Sequence, residues 1–198
     1  MNFLVVGYYT ADNVYEDHAK RFVRSMKEFH IPYYVECVVS LGSWIQNVGF
    51  KPTFIKRMMR QFPATKNIVY VDCDAVFFGY PILFDELDCT IAVYEYDGAE
   101  YRQKNWKPEV LSGTIFFKNN EKALAIVEEW ERRCQKKRIW DQKHLQDILD
   151  GDFEKLPPEY CKIYDKQDYV TRPIIVHYQA SREVRRLRRR PRALKWSV

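Results

Sequence analysis

IVYVDCDAVFF, residues 68–78, decides how the rest of the chain reads. An apolar run, Ile68 to Val71, meets two carboxylates one residue apart, Asp72 and Asp74, and apolar sequence resumes at Ala75. In an extended chain alternate side chains share a face, so the two carboxylates point the same way. Close together, they repel unless something offsets their charge. Either Asp72 caps a turn and Asp74 is solvated, or the pair holds a hard divalent cation such as Mn²⁺ or Mg²⁺, leaving room for a further ligand such as a diphosphate. So short a pattern recurs by chance, and its surroundings must decide.

Those surroundings are an alternation of strands and helices. NFLVVGYY (2–9) is a buried strand. Asp12 and Asn13 offer helix caps, with Glu16 completing a capping box, and Ala19, Phe22, Val23, Met26 and Phe29 follow at helical spacing. YYVECVVS (33–40) is a second strand. Pro52 suits a first helical turn, Phe54, Ile55, Met58, Met59 and Phe62 form an apolar face, and Pro63 closes it. NIVYVDCD (67–74) is then the third strand of a β-α-β-α-β unit, which predicts an α/β fold with a mostly parallel central sheet. Such sheets bind ligands at the C-terminal strand ends, where Tyr8, Tyr9, Thr10, Asp72 and Asp74 fall.

Downstream, CTIAVYEYD (89–97) reads as a strand and GAEYRQKNWKPEV (98–110) as a lid or binding loop. SGTIFFKNN (112–120) is a strand, and EKALAIVEEWERRCQKK (121–137) an amphipathic helix with Ala123, Ile126, Val127, Trp130 and Cys134 inward. WDQKHLQDILDG (140–151) is a short helix stopped by Gly151, and LPPEYCKIYD and RPIIVHYQAS carry late, short strands.

The 198 residues, 46% apolar and 16% aromatic, fit one globular domain and argue against disorder. No apolar run reaches membrane-spanning length, and the N-terminus reads as a strand, not a signal peptide. Five scattered cysteines without a CxxC pair argue against a zinc cluster or disulfide framework and for a cytoplasmic location. The net charge of +5 is concentrated in residues 181–198, which carry +7 and leave −2 for the rest. The boundaries expected are a domain over 1–181 and a basic tail over 182–198.

One enzyme class compatible with the aspartates is a haloacid dehalogenase-like phosphatase, which sets a nucleophilic and an acid/base Asp two apart after a hydrophobic strand. There the motif ends the first strand and runs into Gly-Thr; here it ends the third and runs into AVFF. Four segments point elsewhere. NIVYVDCDAVFF is similar to the hhYhDxDhhh metal-binding segment of GT-A fold glycosyltransferases of the glycogenin and lipopolysaccharide galactosyltransferase group. SGTIFFKNN resembles their N-x-G-hhhhN strand, WDQKHLQDIL their D-Q-x-x-L-N helix start, and IIVHYQAS their hhHYxG segment. The resemblance runs from residue 3 to about residue 181 and implies a Rossmann-like GT-A single domain.

Carried over by position, the resemblance implies that Asp72, Asp74 and His177 bind Mn²⁺ or Mg²⁺, which holds the diphosphate of a nucleotide sugar. It places the base and ribose near Tyr8, Tyr9 and Thr10, and Asp141 and Gln142 beside the donor sugar and acceptor. Ser112 and Gly113 are candidates for donor binding, and Lys51, preceding a helix turn, can reach a phosphate or the sugar. Glu95 and Asp97 are further candidates for sugar hydroxyls or a base. Unless they have such roles, His177 is a bonded strand-end histidine, Lys51 a solvated lysine and Asp141 a helix cap. The group follows its histidine with xxGxxKPW, whereas Ala180 and Glu183 stand here at the Gly and Lys positions, so Arg182 or Arg185 is the expected phosphate cation.

The function implied is a metal-dependent, retaining hexosyltransferase moving a sugar from a nucleotide sugar, UDP-linked, to a hydroxyl on a modified DNA base or a glycan. The alternatives are the phosphatase or a nucleic-acid-binding module with a vestigial site. Val184 and Leu187 give the tail only a thin apolar stripe, interrupted by Pro191, and Arg outweighs Lys. This favours nucleic acid over an anionic membrane as the surface at which the protein is peripheral.

Overall fold

The computed structural model describes residues 2–11, 13–97 and 107–189. The cap expected at Asp12, most of the loop 98–110 and the tail beyond Arg189 lie outside the described residues. The elements are β1 (Phe3–Thr10), α1 (Asn13–Glu28), β2 (Tyr33–Val38), α2 (Trp44–Gly49), α3 (Lys51–Gln61), β3 (Asn67–Val71), β4 (Ala75–Phe77) and α4 (Leu83–Glu86). They continue with β5 (Ile91–Tyr96), β6 (Glu109–Lys118), α5 (Glu121–Lys136), α6 (Asp141–Leu149), β7 (Glu154–Lys155), β8 (Lys162–Ile163), β9 (Ile175–His177) and α7 (Ala180–Arg189).

Six strands form one sheet in the order β2-β1-β3-β6-β5-β7. β1 is parallel to β2 and β3, and β5 to β7; β6 alone runs against both its neighbours. The mostly parallel sheet is therefore present, with one reversed strand. All five residues of β3 are buried, as befits a central strand covered on both faces. On one face Val5, Val69, Val71 and Phe116 pack with Ala19, Phe22 and Met26 of α1. On the other, Val6, Ile68, Tyr70, Ile115 and Phe117 pack with Phe54, Ile55 and Met58 of α3, Val127 and Trp130 of α5 and Leu145 of α6. Burying each large side chain contributes about 1.5–3 kcal/mol, so alternation along the strands fixes which helix covers which face.

Gly7 sets how closely β1 approaches the end of β3: a Cβ there would lie 2.8 Å from the Val71 carbonyl oxygen and 3.1 Å from Cys73 Sγ. Cys73 is accordingly a small buried spacer between the two aspartates.

Three short strands make a second sheet, β4-β9-β8, with β4 antiparallel and β8 parallel to β9. Its register sets Ala75 opposite His177, which brings that histidine to the aspartates. β4, α2 and α4 are additions to the expected elements. The six-residue α2 is capped by Ser43, whose Oγ accepts the Gln46 N–H, and Pro52 lies in the first turn of α3. β6 starts at Glu109, ahead of the expected Ser112. α7 spans the point where the tail was expected to begin, and its first turns are tied to the body. Glu183 lies 3.2 Å from His18 Nε2, and Arg182 pairs with Asp165.

Candidate metal and donor site

Asp72 leaves β3 in a tight turn. Its N–H donates to the Gly113 carbonyl at 2.8 Å, and its own carbonyl accepts the Ala75 N–H at 3.0 Å. Its Oδ1 accepts the Tyr70 hydroxyl at 2.8 Å and lies 3.2 Å from Lys51 Nζ. Asp74 Oδ2 accepts the Ala180 N–H at 2.8 Å, at the start of α7, where the helix macrodipole favours an anion. Its Oδ1 lies 3.7 Å from His177 Nδ1, and the far ring nitrogen, Nε2, is 2.8 Å from Thr114 Oγ1. One ligand atom from each of Asp72, Asp74 and His177 lies within 4.8 Å of the others.

Environment separates the two carboxylates. Burial raises Asp72 above the usual range against the pull of the Lys51 ammonium, and Asp74 adds repulsion; with the side chain 37% exposed, water moderates the effect. Burial also pushes Asp74 up, but the His177 bond and charge and the Ala180 N–H outweigh it and hold the carboxyl low. Burial pulls the His177 imidazole down, while Cys161 and Asp74 push it up, to about 10.

A second, buried group adjoins this one. Lys51 Nζ donates to the Ser112 carbonyl at 2.9 Å and Oγ at 3.0 Å, and lies 3.2 Å from Asp141 Oδ2. Ser112 Oγ donates to the same Asp141 oxygen at 2.9 Å. Gln142 accepts the Ser112 N–H at 3.2 Å and donates to Glu109 at 2.5 Å. Asp141 is not the cap of α6; Trp140 occupies that position, and no side chain caps it. Nor is Lys51 solvated.

The other predicted residues are more dispersed. Tyr8 packs its ring on Phe50, Phe54 and Tyr70 and donates its hydroxyl to the Asn47 carbonyl at 2.7 Å. Burial first, and then Asp141 and Asp72, push that hydroxyl well up in pKa. Tyr9 packs on the opposite side of the sheet, against the α1 core, so the two tyrosines do not share a face. Thr10 is buried at the strand end, and Asp97 follows β5. Glu95 pairs with Lys155 of β7. Arg182 donates from Nη1 to both carboxylate oxygens of Asp165, at 2.7 and 2.9 Å, and Arg185 donates to the Ser181 carbonyl at 3.2 Å.

Sequence reasoning missed Tyr70, Thr114 and Glu109. Tyr70 was within reach, being two residues before Asp72 on a strand. No local signal marks Thr114 or Glu109, because their partners come from β9 and α6.

A family profile described as nucleotide-diphospho-sugar transferase matches residues 56–186, which hold both aspartates, Ser112, Asp141 and His177. The chain belongs to the nucleotide-diphospho-sugar transferases. No curated protein matches the sequence. Among solved structures, this transferase is similar to a glycosyltransferase involved in glycosylation of the major capsid of PBCV-1. The TM-score is 0.71 at 13% identity, covering 95% of this chain and 99% of that one. It is also similar to the apo form of the bifunctional glycosyltransferase WbbM, with TM-score 0.58 and 13% identity over 89% of this chain and 45% of that one. A third is apo GlyE of Streptococcus pneumoniae TIGR4, with TM-score 0.59 and 14% identity over 88% and 54%. The chain thus spans about half the length of the last two. At these identities the likeness is one of fold, and the fold is of GT-A type. Among the described residues no helix is long and apolar enough to cross a membrane.

The transferase's donor set also fits a divalent cation. Two carboxylates and an imidazole suit such an ion, Thr114 fixes the far side of the ring, and Gly113 places no side chain beside it.

Proposed function

We propose that this transferase moves a hexose from a UDP-sugar to a hydroxyl acceptor, with a divalent cation, Mn²⁺ or Mg²⁺, held by Asp72, Asp74 and His177. The observation that carries this reading is the convergence of those three side chains beside the buried Asp141 group, at the C-terminal edge of the sheet. When bound, the cation offsets the charge developing on the leaving nucleoside diphosphate.

The chain's own residues do the remaining work. Tyr8, Tyr9 and Thr10 flank the base and ribose, while Ser112 and Gly113 line the sugar diphosphate. Arg182 or Arg185 supplies the phosphate cation; for Arg182 this means exchanging its contact with Asp165. The bond from the anomeric carbon to the diphosphate oxygen breaks, one to the acceptor oxygen forms, and the acceptor hydroxyl's proton passes to the departing diphosphate oxygen. Asp141 and Gln142 stand nearest that carbon and stabilise its positive charge in the transition state. Glu95 and Asp97 orient sugar hydroxyls. Retention of configuration belongs with this reading. So does an acceptor on a glycan or a modified DNA base, approached through residues 182–198 by a cytoplasmic protein peripheral to DNA or membrane. Neither the phosphatase nor the vestigial-site reading has an observation in its favour, since the aspartates lie in the turn after β3, the third strand, in a transferase family.

The test is calorimetric titration of UDP with and without Mn²⁺, on the wild type and on Asp72→Asn/Asp74→Asn. UDP binding that requires Mn²⁺ and vanishes in the variant is expected, together with loss of UDP-sugar hydrolysis. A wild type that ignores UDP in saturating Mn²⁺ sinks the proposal.

A further inference from the structure

Lys51 is enclosed by protein oxygens. It is 3% exposed, and four oxygens surround its ammonium: the Ser112 carbonyl at 2.9 Å, Ser112 Oγ at 3.0 Å, and Asp72 Oδ1 and Asp141 Oδ2, each at 3.2 Å. Two of the ammonium's three N–H groups go to Ser112 in hydrogen bonds and the two carboxylates flank it as ion pairs, so protein oxygens enclose it. The Tyr70 ring centroid lies 5.0 Å from the ammonium, and the Tyr70 hydroxyl donates to the same Asp72 oxygen.

The pattern at the two carboxylates is equally one-sided. Tyr70 and Lys51 both take Oδ1 of Asp72, while Oδ2 lies on the side of Gly113 and the His177 ring. Lys51 and Ser112 both take Oδ2 of Asp141, and among the described residues no hydrogen bond reaches Oδ1. In each pair one oxygen is tethered and the other left for a ligand.

We infer that Lys51 is a positioning residue that clamps Asp141 to the metal-facing Asp72 and so presents Asp141 Oδ1 to the reacting sugar. It is not a ligand of the donor phosphates. This rests on the reading of Asp141 given above. A buried cation between two carboxylates is stable only as a set, because removing one member leaves an unpaired charge out of water. The compact, roughly tetrahedral ammonium reaches oxygens from three separate elements, whereas a planar guanidinium has no matching fork, so arginine does not replace it.

The variants are Lys51→Met, Lys51→Arg, Asp141→Asn and Lys51→Met/Asp141→Asn, each followed by thermal unfolding, Mn²⁺-dependent UDP binding and UDP-glucose or UDP-galactose hydrolysis. Lys51→Met is expected to bind UDP within about threefold of wild type while kcat falls by about 100-fold at little-changed KM, the size of loss that a misplaced catalytic group produces. Lys51→Arg does not restore kcat. In thermal unfolding the double variant is expected to be more stable than Lys51→Met, since it removes both members of the pair. If Lys51→Met does not fold, the double variant, with both charges gone, is the one titrated with UDP. A loss of UDP affinity of about tenfold or more in the variant titrated makes Lys51 a phosphate ligand and overturns the clamp. Unchanged kcat in Lys51→Met overturns it too, as does strict additivity in unfolding. A wild type that does not bind UDP defeats the transferase reading, and the unfolding cycle then decides the clamp alone.

Discussion

Gly113 lies so close to His177 that a side chain in its place would press on the ring. A Cβ at position 113 would come within 3.1 Å of the ring Cε1 and 3.3 Å of Nδ1, and 3.5 Å from Asp72 Oδ2. The requirement is space beside the imidazole, in the cradle that the three ligand side chains share. Gly113→Ala therefore displaces the ring by a few tenths of an ångström while leaving the strand paired. Mn²⁺ affinity, measured by titration calorimetry, is expected to fall about tenfold or more, as for other disturbances behind a metal ligand. Unchanged Mn²⁺ affinity would mean that the ring is free to move aside.

Thr114 supports the same imidazole from behind, at 2.8 Å from Nε2. Thr114→Val keeps the shape of the side chain and removes the hydroxyl, leaving a buried ring nitrogen without its partner. Roughly 1–3 kcal/mol of stability is expected to go, since that is the cost of an unsatisfied buried polar group. Mn²⁺ affinity falls by about 10–100-fold with the loss of ring orientation. Thr114→Ser, which restores a hydroxyl, should recover most of both. If serine behaves like valine, the effect belongs to packing and not to the hydrogen bond.

Much of this was legible in the sequence, for reasons that can be named. Val69 and Val71 belong to a run with no polar interruption, which marks a strand covered on both faces, and Pro52 and Gly151 stand where helices begin and end. The Asp72/Asp74 pair is plain in the sequence, but it is the turn after β3, which ends at Val71, and not strand alternation that sets the two side chains together. His177 came only from the likeness of its segment to a known one. β4 and β9 are three residues each, too short to show a period, and the pairing of Ala75 with His177 is not local. The reversal of β6 is invisible because buried and exposed positions alternate identically in either direction. Lys51 misled for a related reason: a lysine can be buried only if distant residues supply its partners, and Ser112 and Asp141 lie on other elements.

Gly7 predicts a purely structural effect. A Cβ there would sit 2.8 Å from the Val71 carbonyl oxygen, a backbone atom of the central strand that cannot swing away. Gly7→Ala forces β1 from β3 just before the aspartates and is expected to cost about 1–3 kcal/mol, the usual penalty for overpacking. For a chain of this size each kcal/mol lowers Tm by about 2–4 °C. A calorimetric Tm equal to the wild type would show that the two strands separate without cost.

Trp130 is fully buried, and its Nε1–H donates to the Asp141 carbonyl at 2.9 Å. This bond anchors the first turn of α6 to α5, and with it the residue whose carboxylate meets Lys51. Trp130→Phe keeps an aromatic ring in the core but loses the donor and part of the volume, so roughly 1–3 kcal/mol of destabilisation is expected. The ligand triad is held by β3, the turn after it and β9, none of which Trp130 anchors through this bond. Mn²⁺ affinity should therefore match the wild type, while UDP-sugar hydrolysis falls as Asp141 loses its fixed position. Parallel loss of Mn²⁺ binding would instead show that the two groups of side chains are not separable, and that α6 supports the metal ligands as well as Asp141.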